Sequence, residues 1–268
     1  MMEYAIDWAK KFAKQLIADH NGILAPVGKP TKNFLGRSKE VQAVQESLYK
    51  KRMRNCVVVG GAGIGKTEIV KRAIATSKSD DVFLSLDVAF LQAGCTLVGQ
   101  FEERMKNILT AIANFNSRSD AKISLFVDEI HSLWTINKNE MFGTVSAADM
   151  LKPYLSNGDV TIVGATTMEE YRKYVLRDKA LLRRLPPVFV EEMSDEDTAR
   201  IIKAFFGKEL TDGQIEECIA LSKEIKYLRN PDCALEIADR VCAKSFAEGR
   251  MVETSEIKQI ADMMKEVA

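Results

Sequence analysis

The chain has 268 residues, and its 38 lysines and arginines are matched by 38 aspartates and glutamates. This balance argues against bulk electrostatic binding of nucleic acid, which needs a surplus of cationic side chains to displace counterions. Hydrophobic residues make up 46% of the chain, so one large domain, or a large and a small one, can bury a sizeable core. The longest apolar runs, such as 56–59, fall far short of the ~20 residues that span a membrane.

The cysteines and the N-terminal sequence indicate a compartment. Five cysteines are dispersed without a CxxC pair, which argues against a disulfide framework or a zinc site. The N-terminus has no basic stretch followed by an apolar core, so we expect no secretory signal. A reducing, cytoplasmic location is therefore predicted.

The first segment of the chain is predicted to be an amphipathic helix over residues 3–19, with apolar residues at three- and four-residue steps. We expect this helix to pack on the main body, and the alternative is a docking helix for a partner. Asn21-Gly22, Pro26 and Pro30 then predict a break and a linker that ends near Asn33. Residues 1–33 are thus predicted to be a helix with its linker.

Short apolar segments alternate with helical ones over residues 34–192, which predicts an α/β domain with a five-stranded parallel sheet sandwiched by helices. The predicted strands are 56–60, 82–86, 123–128, 161–165 and 188–190. The character changes after Glu192, where no strand pattern remains. Residues 193–268 are predicted to be a small helical lid domain, with helices at about 195–206, 211–225, 231–247 and 254–266.

A glycine-rich motif follows the first strand of the α/β domain and opens a helix. It fits G-x-x-x-x-G-K-[ST] and reads Gly60-Gly61-Ala62-Gly63-Ile64-Gly65-Lys66-Thr67. Backbone N–H groups of such a loop wrap a β-phosphate, and the helix N-terminus adds favourable partial charge. Lys66 can reach the β- and γ-phosphates, and the Thr67 hydroxyl can bind Mg²⁺. The alternative, a chance glycine turn, does not account for the strand before it and the helix after it.

Two carboxylates, Asp128 and Glu129, end a buried strand about sixty residues after the glycine-rich motif. In P-loop enzymes an aspartate at this place holds Mg²⁺. A glutamate one residue later is placed to deprotonate the attacking water. Together the two motifs predict hydrolysis of the nucleotide, and the alternative is a solvated pair at a strand end.

Hydroxyl and guanidinium groups follow later in the domain. The Thr166-Thr167 pair ends a strand, where a hydroxyl could contact the γ-phosphate or simply cap the next helix. The Arg183-Arg184 pair precedes the last strand and could be solvated surface, or could reach a neighbouring subunit's γ-phosphate as an arginine finger. The residues alone leave these alternatives open.

An ordered set of motifs carries a family resemblance from about Phe34 to Glu248. With the glycine-rich loop, the set comprises Leu35-Gly36-Arg37, Gly99-Gln100-Phe101-Glu102-Glu103-Arg104, Val127-Asp128-Glu129-Ile130-His131, Met150-Leu151-Lys152-Pro153, Gly164-Ala165-Thr166-Thr167, Glu170-Tyr171-Arg172 and Ala180-Leu181-Leu182-Arg183-Arg184. In this order they resemble the first nucleotide-binding domain of Clp-type AAA+ protein unfoldases and disaggregases.

The resemblance implies a role for each matching position, all on one ATP and Mg²⁺ site. Its Walker A and Walker B residues would be Lys66, Thr67, Asp128 and Glu129. Sensor 1 would be Thr167, and Arg183 and Arg184 would be arginine fingers acting in trans. The nucleotide pocket would also take Leu35, Gly36, Arg37, Ile201 and Asp232. The resemblance further implies a hexameric ring that threads polypeptides, with an unknown protein client or adaptor and neither nucleic acid nor membrane as a partner.

Departures from the family pattern leave other functions open. Leu97 stands where the family's pore loop carries an aromatic residue, and Gln100 replaces a glutamate. The family's N-terminal, middle and second ATPase domains have no counterpart in this sequence, so we expect a stand-alone ATPase module, either a minimal AAA+ protein or an excised domain of a longer one. One alternative is a nucleotide-controlled switch for assembly or partner binding, which the leucine favours. Another is a DNA-associated protein of the clamp-loader kind, against which the neutral charge argues.

Overall fold

The computed structural model describes residues 2–95, 99–135 and 147–265. The chain forms two compact units. The first consists of Met1–Lys29, Lys39–Val59 and Val70–Val188, and the second of Pro30–Ser38, Gly60–Ile69 and Phe189–Ala268. The glycine-rich loop thus belongs to the same unit as the C-terminal helices, and the domain boundaries at residues 34 and 193 stay predictions.

The first unit is built on a mixed six-stranded sheet with the order β1-β3-β4-β5-β2-β6. Its strands are β1 Leu24–Pro26, β2 Cys56–Val59, β3 Val82–Leu86, β4 Ile123–Val127, β5 Thr161–Thr166 and β6 Pro187–Phe189. The pairs β3–β4, β4–β5 and β5–β2 are parallel. The predicted α/β class is confirmed, and four of the five predicted strands form its contiguous parallel part.

The strand β1 corrects the predicted linker. Leu24, Ala25 and Pro26 pair antiparallel with Leu86, Ser85 and Leu84 of β3, so the sheet has six strands rather than five. A proline at position 26 is compatible with this place, because an edge strand has one row of N–H groups that needs no strand partner. Three residues are also too few to show a period-2 pattern in the sequence.

The helices of the first unit include the predicted N-terminal one. They are α1 Met2–Asp19, α2 Ser38–Leu48, α3 Lys66–Ala75, α4 Val88–Gln92, α5 Gln100–Asn116, α6 Ser132–Thr135, α7 Ala147–Asn157, α8 Met168–Glu170 and α9 Lys179–Leu182, where α2 and α3 each have residues in both units. A π-helical turn, Tyr171–Val175, directly follows α8.

The core of the first unit holds α1 against α5. Ala9, Ala13 and Leu16 of α1 are buried in this core. The ring of Phe12 stacks on Phe115 with centroids 4.6 Å apart, and Trp8 approaches the same ring at 4.4 Å. Aromatic contacts of this kind contribute about 0.5–1.5 kcal/mol beyond area burial. The helix therefore packs on the main body, as expected from its apolar stripe.

The second unit has its own core, formed by four helices. These are α10 Asp195–Phe206, α11 Asp212–Ser222, α12 Asp232–Glu248 and α13 Thr254–Lys265, close to the four predicted segments. Ser194 caps α10, and Thr211 and Gln214 form a capping box at the start of α11. Ile202, Cys218, Ile237 and Ile257 are fully buried between these helices.

All five cysteines are free thiols, and four of them are buried. Burial raises the pKa of Cys56, Cys218 and Cys242 to about 12 and that of Cys233 to about 11. Thiols with such pKa values are poor nucleophiles at neutral pH, because the thiolate is the reactive form. Within the described part of the chain, no helix is both long and apolar enough to cross a bilayer.

Candidate functional site

Three adjacent strands of the first unit end at one edge of the sheet. Because β2, β5 and β4 are parallel, their carboxyl ends lie on the same side, with Val59 opposite Thr166 and Val127 opposite Gly164. The chain passes from β2 into the glycine-rich loop and from β4 into Asp128. Open α/β sheets bind ligands at the carboxyl ends of their strands.

The glycine-rich loop is held by the segment that precedes α12, within the second unit. The backbone N–H of Arg229 donates to the carbonyl of Ala62 at 3.1 Å, and that of Asp232 donates to the carbonyl of Gly63 at 3.2 Å. Gly63 and Gly65 have φ values of +77° and +91°. Backbone turns of this kind point successive N–H groups into one concavity, which is an anion-binding geometry.

Lys66 and Thr67 open the helix α3 at the end of the loop. Lys66 is buried, and its Nζ donates to the carbonyl oxygens of Gly61 at 2.8 Å and Gly60 at 3.3 Å. Its ammonium therefore lies against the loop backbone, next to the N-terminus of α3, where anions are favoured. The Thr67 side chain is half-buried in the first turn of the same helix.

The segment 33–37, which includes the predicted pocket residues Leu35, Gly36 and Arg37, lies against α10 and the glycine-rich loop in the second unit. The guanidinium of Arg37 donates to the carbonyl of Ile64 at 3.2 Å. Asn33 donates to the carbonyl of Ala204 at 3.1 Å, and Gly36 lies beside Asp197. Because Asp197, Ile201 and Ala204 follow the i, i+4, i+7 spacing, they share the face of α10 that meets this segment.

Four of the predicted pocket residues belong to the second unit. These residues are Leu35, Gly36, Arg37 and Ile201, of which Leu35 is exposed and Ile201 buried. The structure brings this segment to the glycine-rich loop through the bond from Arg37 to Ile64.

Asp232 lies at the start of α12, against the loop. Its backbone contact to Gly63 places its side chain so close that a Cβ on that glycine would lie 2.8 Å from the Asp232 Cβ. Loss of solvation raises the pKa of the Asp232 carboxyl, and the charge of Glu236 raises it further. The aspartate thus supports the loop through its backbone, which the sequence could not show.

The two carboxylates after β4 have distinct surroundings in the first unit. Asp128 Oδ1 accepts a hydrogen bond from the backbone N–H of Glu129 at 3.0 Å. Glu129 has a φ of 45°, a left-handed conformation that is strained for a residue with a side chain. Its side chain is 55% exposed. The glutamate is therefore accessible to water.

A histidine to which the sequence assigned no role contacts the second of these carboxylates. His131 Nδ1 lies 3.2 Å from Glu129 Oε2 and 3.0 Å from the hydroxyl of Thr166 at the end of β5. The sequence has no other candidate ligand at a metal-binding spacing from this histidine, so no role was predicted for it. The only signal was its position two residues after Glu129, because its partner Thr166 comes from the next strand of the sheet.

Thr167 caps the helix that follows β5. Its hydroxyl oxygen accepts a hydrogen bond from the backbone N–H of Glu170 at 3.2 Å. This hydrogen bond is the helix cap that the sequence offered as the alternative role of the threonine pair. A hydroxyl also has a proton to donate, so the cap leaves Thr167 able to donate to a second group.

The two arginines before β6 differ in their contacts. Arg184 Nε donates to Ser156 Oγ, and its Nη1 donates to the carbonyl of Ala180, both at 2.6 Å. Arg183 is exposed, and its side chain makes no hydrogen bond or ion pair with any residue that the structure describes. Buried Tyr171 donates to the carbonyl of Leu185 at 3.1 Å and so fixes the segment that carries the pair.

Leu97, at the predicted pore-loop position, lies outside the described residues. The other predicted site residues fall into two groups. The phosphate loop, Arg37, Ile201 and Asp232 belong to the second unit, whereas the carboxylate pair, Thr167 and the arginine pair belong to the first.

Comparisons with known proteins agree with this arrangement. The sequence is 34% identical over 250 residues to the chaperone protein ClpB of Aquifex aeolicus, covering 87% of this chain and 24% of that protein. It is 37% identical over 226 residues to ClpB of Dichelobacter nodosus, covering 78% and 26%. The chain thus spans about a quarter of the length of these relatives.

A solved structure of Hsp104 with ATPγS and FITC casein, in a closed state, has a similar fold. Its TM-score is 0.74 at 29% sequence identity, covering 94% of this chain and 46% of that chain. The pattern of the ATPase family associated with various cellular activities (AAA) matches residues 56–189, half of the chain. The predicted resemblance and the predicted enzyme class, an ATPase, are thereby confirmed. The chain belongs to the AAA family of ATPases.

Proposed function

We propose that this chain binds ATP with Mg²⁺, hydrolyses it with Glu129 as general base, and works as a ring oligomer that remodels a protein client. The observation that carries the proposal is the loop Gly60–Gly65 at the carboxyl end of β2. Its carbonyls are bonded to Arg229 and Asp232, and its glycines have the positive φ values of an anion-binding turn.

The triphosphate would be held mainly by backbone groups. The N–H groups of Gly61, Ala62, Gly63, Ile64 and Gly65 would donate to the β-phosphate, and the α3 N-terminus favours negative charge there. The Lys66 ammonium would exchange its two carbonyl partners for phosphate oxygens, a charge-assisted and therefore stronger contact. The adenine would lie among Leu35, Gly36, Arg37 and Ile201, with Asp232 supporting the loop.

The side chains predicted to hold Mg²⁺ fit that ion, because Mg²⁺ prefers oxygen ligands and both groups offer oxygen. They are the Thr67 hydroxyl at the start of α3 and the Asp128 carboxylate after β4. The ion would neutralise charge on the phosphate oxygens as the terminal phosphoryl group is transferred.

In the proposed hydrolysis, the proton of the attacking water has a defined acceptor. A water oxygen attacks the γ-phosphorus, the bond to the β-phosphate oxygen breaks, and the proton of the water passes to a carboxylate oxygen of Glu129. The exposed carboxylate is accessible to that water. Thr167, whose hydroxyl keeps a proton to donate beyond its helix cap, would orient the water or the γ-phosphate.

Arg183 and Arg184 are proposed as arginine fingers that act on the nucleotide of a neighbouring subunit. The two arginines differ in their contacts. Arg184 is bonded to Ser156 and Ala180, whereas exposed Arg183 is available for a partner's phosphate. A group that arrives from another subunit requires an assembly, and a ring of six is the form that the family resemblance implies. The similar Hsp104 structure contains ATPγS and casein, which supports a nucleotide and a polypeptide client.

The mass of the assembly tests the ring and the trans assignment together. Light scattering on the Glu129→Gln variant with and without ATP should show a hexamer that depends on nucleotide, since this variant retains binding without hydrolysis. A monomer under every condition would contradict both the ring and the roles of Arg183 and Arg184.

A translocation assay tests the client. An unfolded, fluorescently labelled polypeptide should be pulled in an ATP-dependent way that Leu97→Ala abolishes. Normal ATPase without translocation would instead favour a nucleotide-controlled switch for assembly or partner binding. We also propose a cytoplasmic location, because the five free thiols are suited to a reducing compartment.

A further inference from the structure

One ring nitrogen of His131 lies within hydrogen-bond distance of two oxygens in the first unit. Nδ1 lies 3.2 Å from Glu129 Oε2 and 3.0 Å from Thr166 Oγ1. Thr166 is fully buried, whereas the glutamate side chain is 55% exposed. The histidine therefore connects the proposed general base to the end of β5, the strand that precedes Thr167.

The surrounding backbone holds this arrangement in place. The N–H of Ile130 donates to the carbonyl of Ala165 at 2.9 Å, which joins the turn after β4 to β5. A Cβ on Gly164 would lie 2.7 Å from Ile130 Cδ1, so the glycine allows the close approach. The His131 ring is also nearly parallel to the ring of Tyr174, at 10° and 6.4 Å between centroids.

Nδ1 has either one proton or one lone pair to share between its two neighbouring oxygens. A proton on Nδ1 is donated to the carboxylate of Glu129 or to the hydroxyl oxygen of Thr166. A proton on Nε2 leaves a lone pair on Nδ1, which accepts from the Thr166 hydroxyl and offers nothing to a carboxylate. A hydrogen bond between Nδ1 and Glu129 therefore weakens the bond between Nδ1 and Thr166. A bond to Thr166 likewise weakens the bond to Glu129.

We propose that His131 is a positioning residue for the base Glu129, and that Thr166 competes with Glu129 for its Nδ1. A hydrogen bond to Oε2 orients the carboxylate and leaves Oε1 to accept the proton of water. An exposed glutamate without it would sample other rotamers, since no other residue that the structure describes bonds Oε2. The inference rests on the proposed function, because it takes Glu129 as the base.

Three substitutions separate positioning from a merely structural role. His131→Asn keeps an N–H donor near the place of Nδ1, whereas His131→Leu keeps similar bulk without a donor. Because a misplaced catalytic group can lose about 10- to 100-fold in rate, we expect the leucine variant to lose that much kcat with an unchanged KM for ATP. The asparagine variant should recover most of the rate.

Thr166→Val removes the competing hydroxyl with little change in size. We expect its kcat to equal or exceed that of the unchanged protein, because the Nδ1 proton then serves Glu129 alone. A purely structural contact would make the valine variant lose kcat as the leucine variant does, which would overturn the inference. Thermal unfolding of each variant shows whether it is folded.

Comparison with the single variant Glu129→Gln distinguishes failure of this inference from failure of the proposed function. If Glu129→Gln abolishes hydrolysis but His131→Asn and His131→Leu lose equal rate, only the positioning role is wrong. If Glu129→Gln hydrolyses ATP normally, the base assignment itself is wrong. The result that supports both is loss in Glu129→Gln, loss in His131→Leu, and recovery in His131→Asn.

Discussion

The backbone N–H of Asp232 donates to the carbonyl of Gly63 at 3.2 Å, and the two residues approach so closely that a Cβ on Gly63 would lie 2.8 Å from the Cβ of Asp232. The carbonyl of Arg229 would be 3.0 Å from the same added atom. Gly63 also has a φ of +77°. Conformation and space therefore both require glycine at the centre of the proposed phosphate loop.

Gly63→Ala should weaken nucleotide binding. An alanine with left-handed backbone costs roughly 1–2 kcal/mol, and its Cβ would push the loop away from the segment before α12. We expect affinity for a fluorescent ATP analogue to fall about tenfold or more, which corresponds to about 1.4 kcal/mol. Gly249→Ala is the control, since Gly249 has a φ of +64° but open space around it. Equal loss of affinity in both variants would contradict the role of the close contact.

Arg183→Ala and Arg184→Ala should have different effects. Removing Arg183 breaks no described contact, so the melting temperature should be unchanged while ATPase of the assembly falls by about 10³-fold. Removing Arg184 breaks two hydrogen bonds, at about 0.5–1.5 kcal/mol each, and should lower the melting temperature by several degrees. Thermal unfolding and steady-state ATPase measure both. Ser156→Ala, which removes one partner of Arg184, should reproduce part of the destabilisation.

Tyr171→Phe should destabilise the protein through the Leu185 carbonyl. The tyrosine is buried, and its hydroxyl is bonded to this carbonyl at 3.1 Å. Losing the donor leaves a buried acceptor unpaired, at about 1–3 kcal/mol. Tyr154→Phe is the matched control, because the bond between Tyr154 and Thr110 is exposed and water can replace it. Similar melting temperatures for both variants would contradict the prediction.

Asp232→Asn should stabilise the nucleotide-free protein at neutral pH. Loss of solvation, and then the charge of Glu236, raise the pKa of Asp232 above its usual 3.8. The folded state therefore binds this proton more tightly than the unfolded state, and stability falls as pH rises through the two pKa values. Melting temperatures should be higher for the variant at pH 7, and the difference should shrink as pH falls toward 4.

Asp262→Asn provides a control of opposite sign in the same unit. The Lys265 ammonium lowers the pKa of Asp262, so its charge contributes stability at neutral pH that is lost in acid. This variant should melt at a lower temperature at pH 7 and approach the unchanged protein in acid. If both aspartate variants shift in the same direction, the proposed sign for Asp232 is wrong.

The local motifs of the site could be predicted because each is contiguous in the chain. Gly60–Thr67 follows β2, and the two carboxylates follow β4, so spacing and strand pattern were sufficient. The strand β1 was missed since three residues with a proline resemble a break. The π-helical turn Tyr171–Val175 likewise has no distinct periodicity in the sequence.

Contacts between distant residues could not be predicted. The hydrogen bonds from Arg229 and Asp232 to the phosphate loop join positions more than 160 residues apart. No sequence pattern within either segment indicates these bonds. The same holds for His131, whose partner Thr166 lies on another strand. The sequence also could not separate Arg183 from Arg184, because their difference depends on Ser156 in α7.

The central claim, that Glu129 is the base of a working ATPase site, is tested most directly by one substitution. Glu129→Gln keeps the size of the side chain and removes the proton acceptor, so ATP hydrolysis should fall by about 10²–10⁴-fold while affinity for ATP is retained. Steady-state phosphate release and equilibrium binding of a fluorescent ATP analogue measure the two quantities on one preparation. Unchanged phosphate release in the glutamine variant would contradict the account.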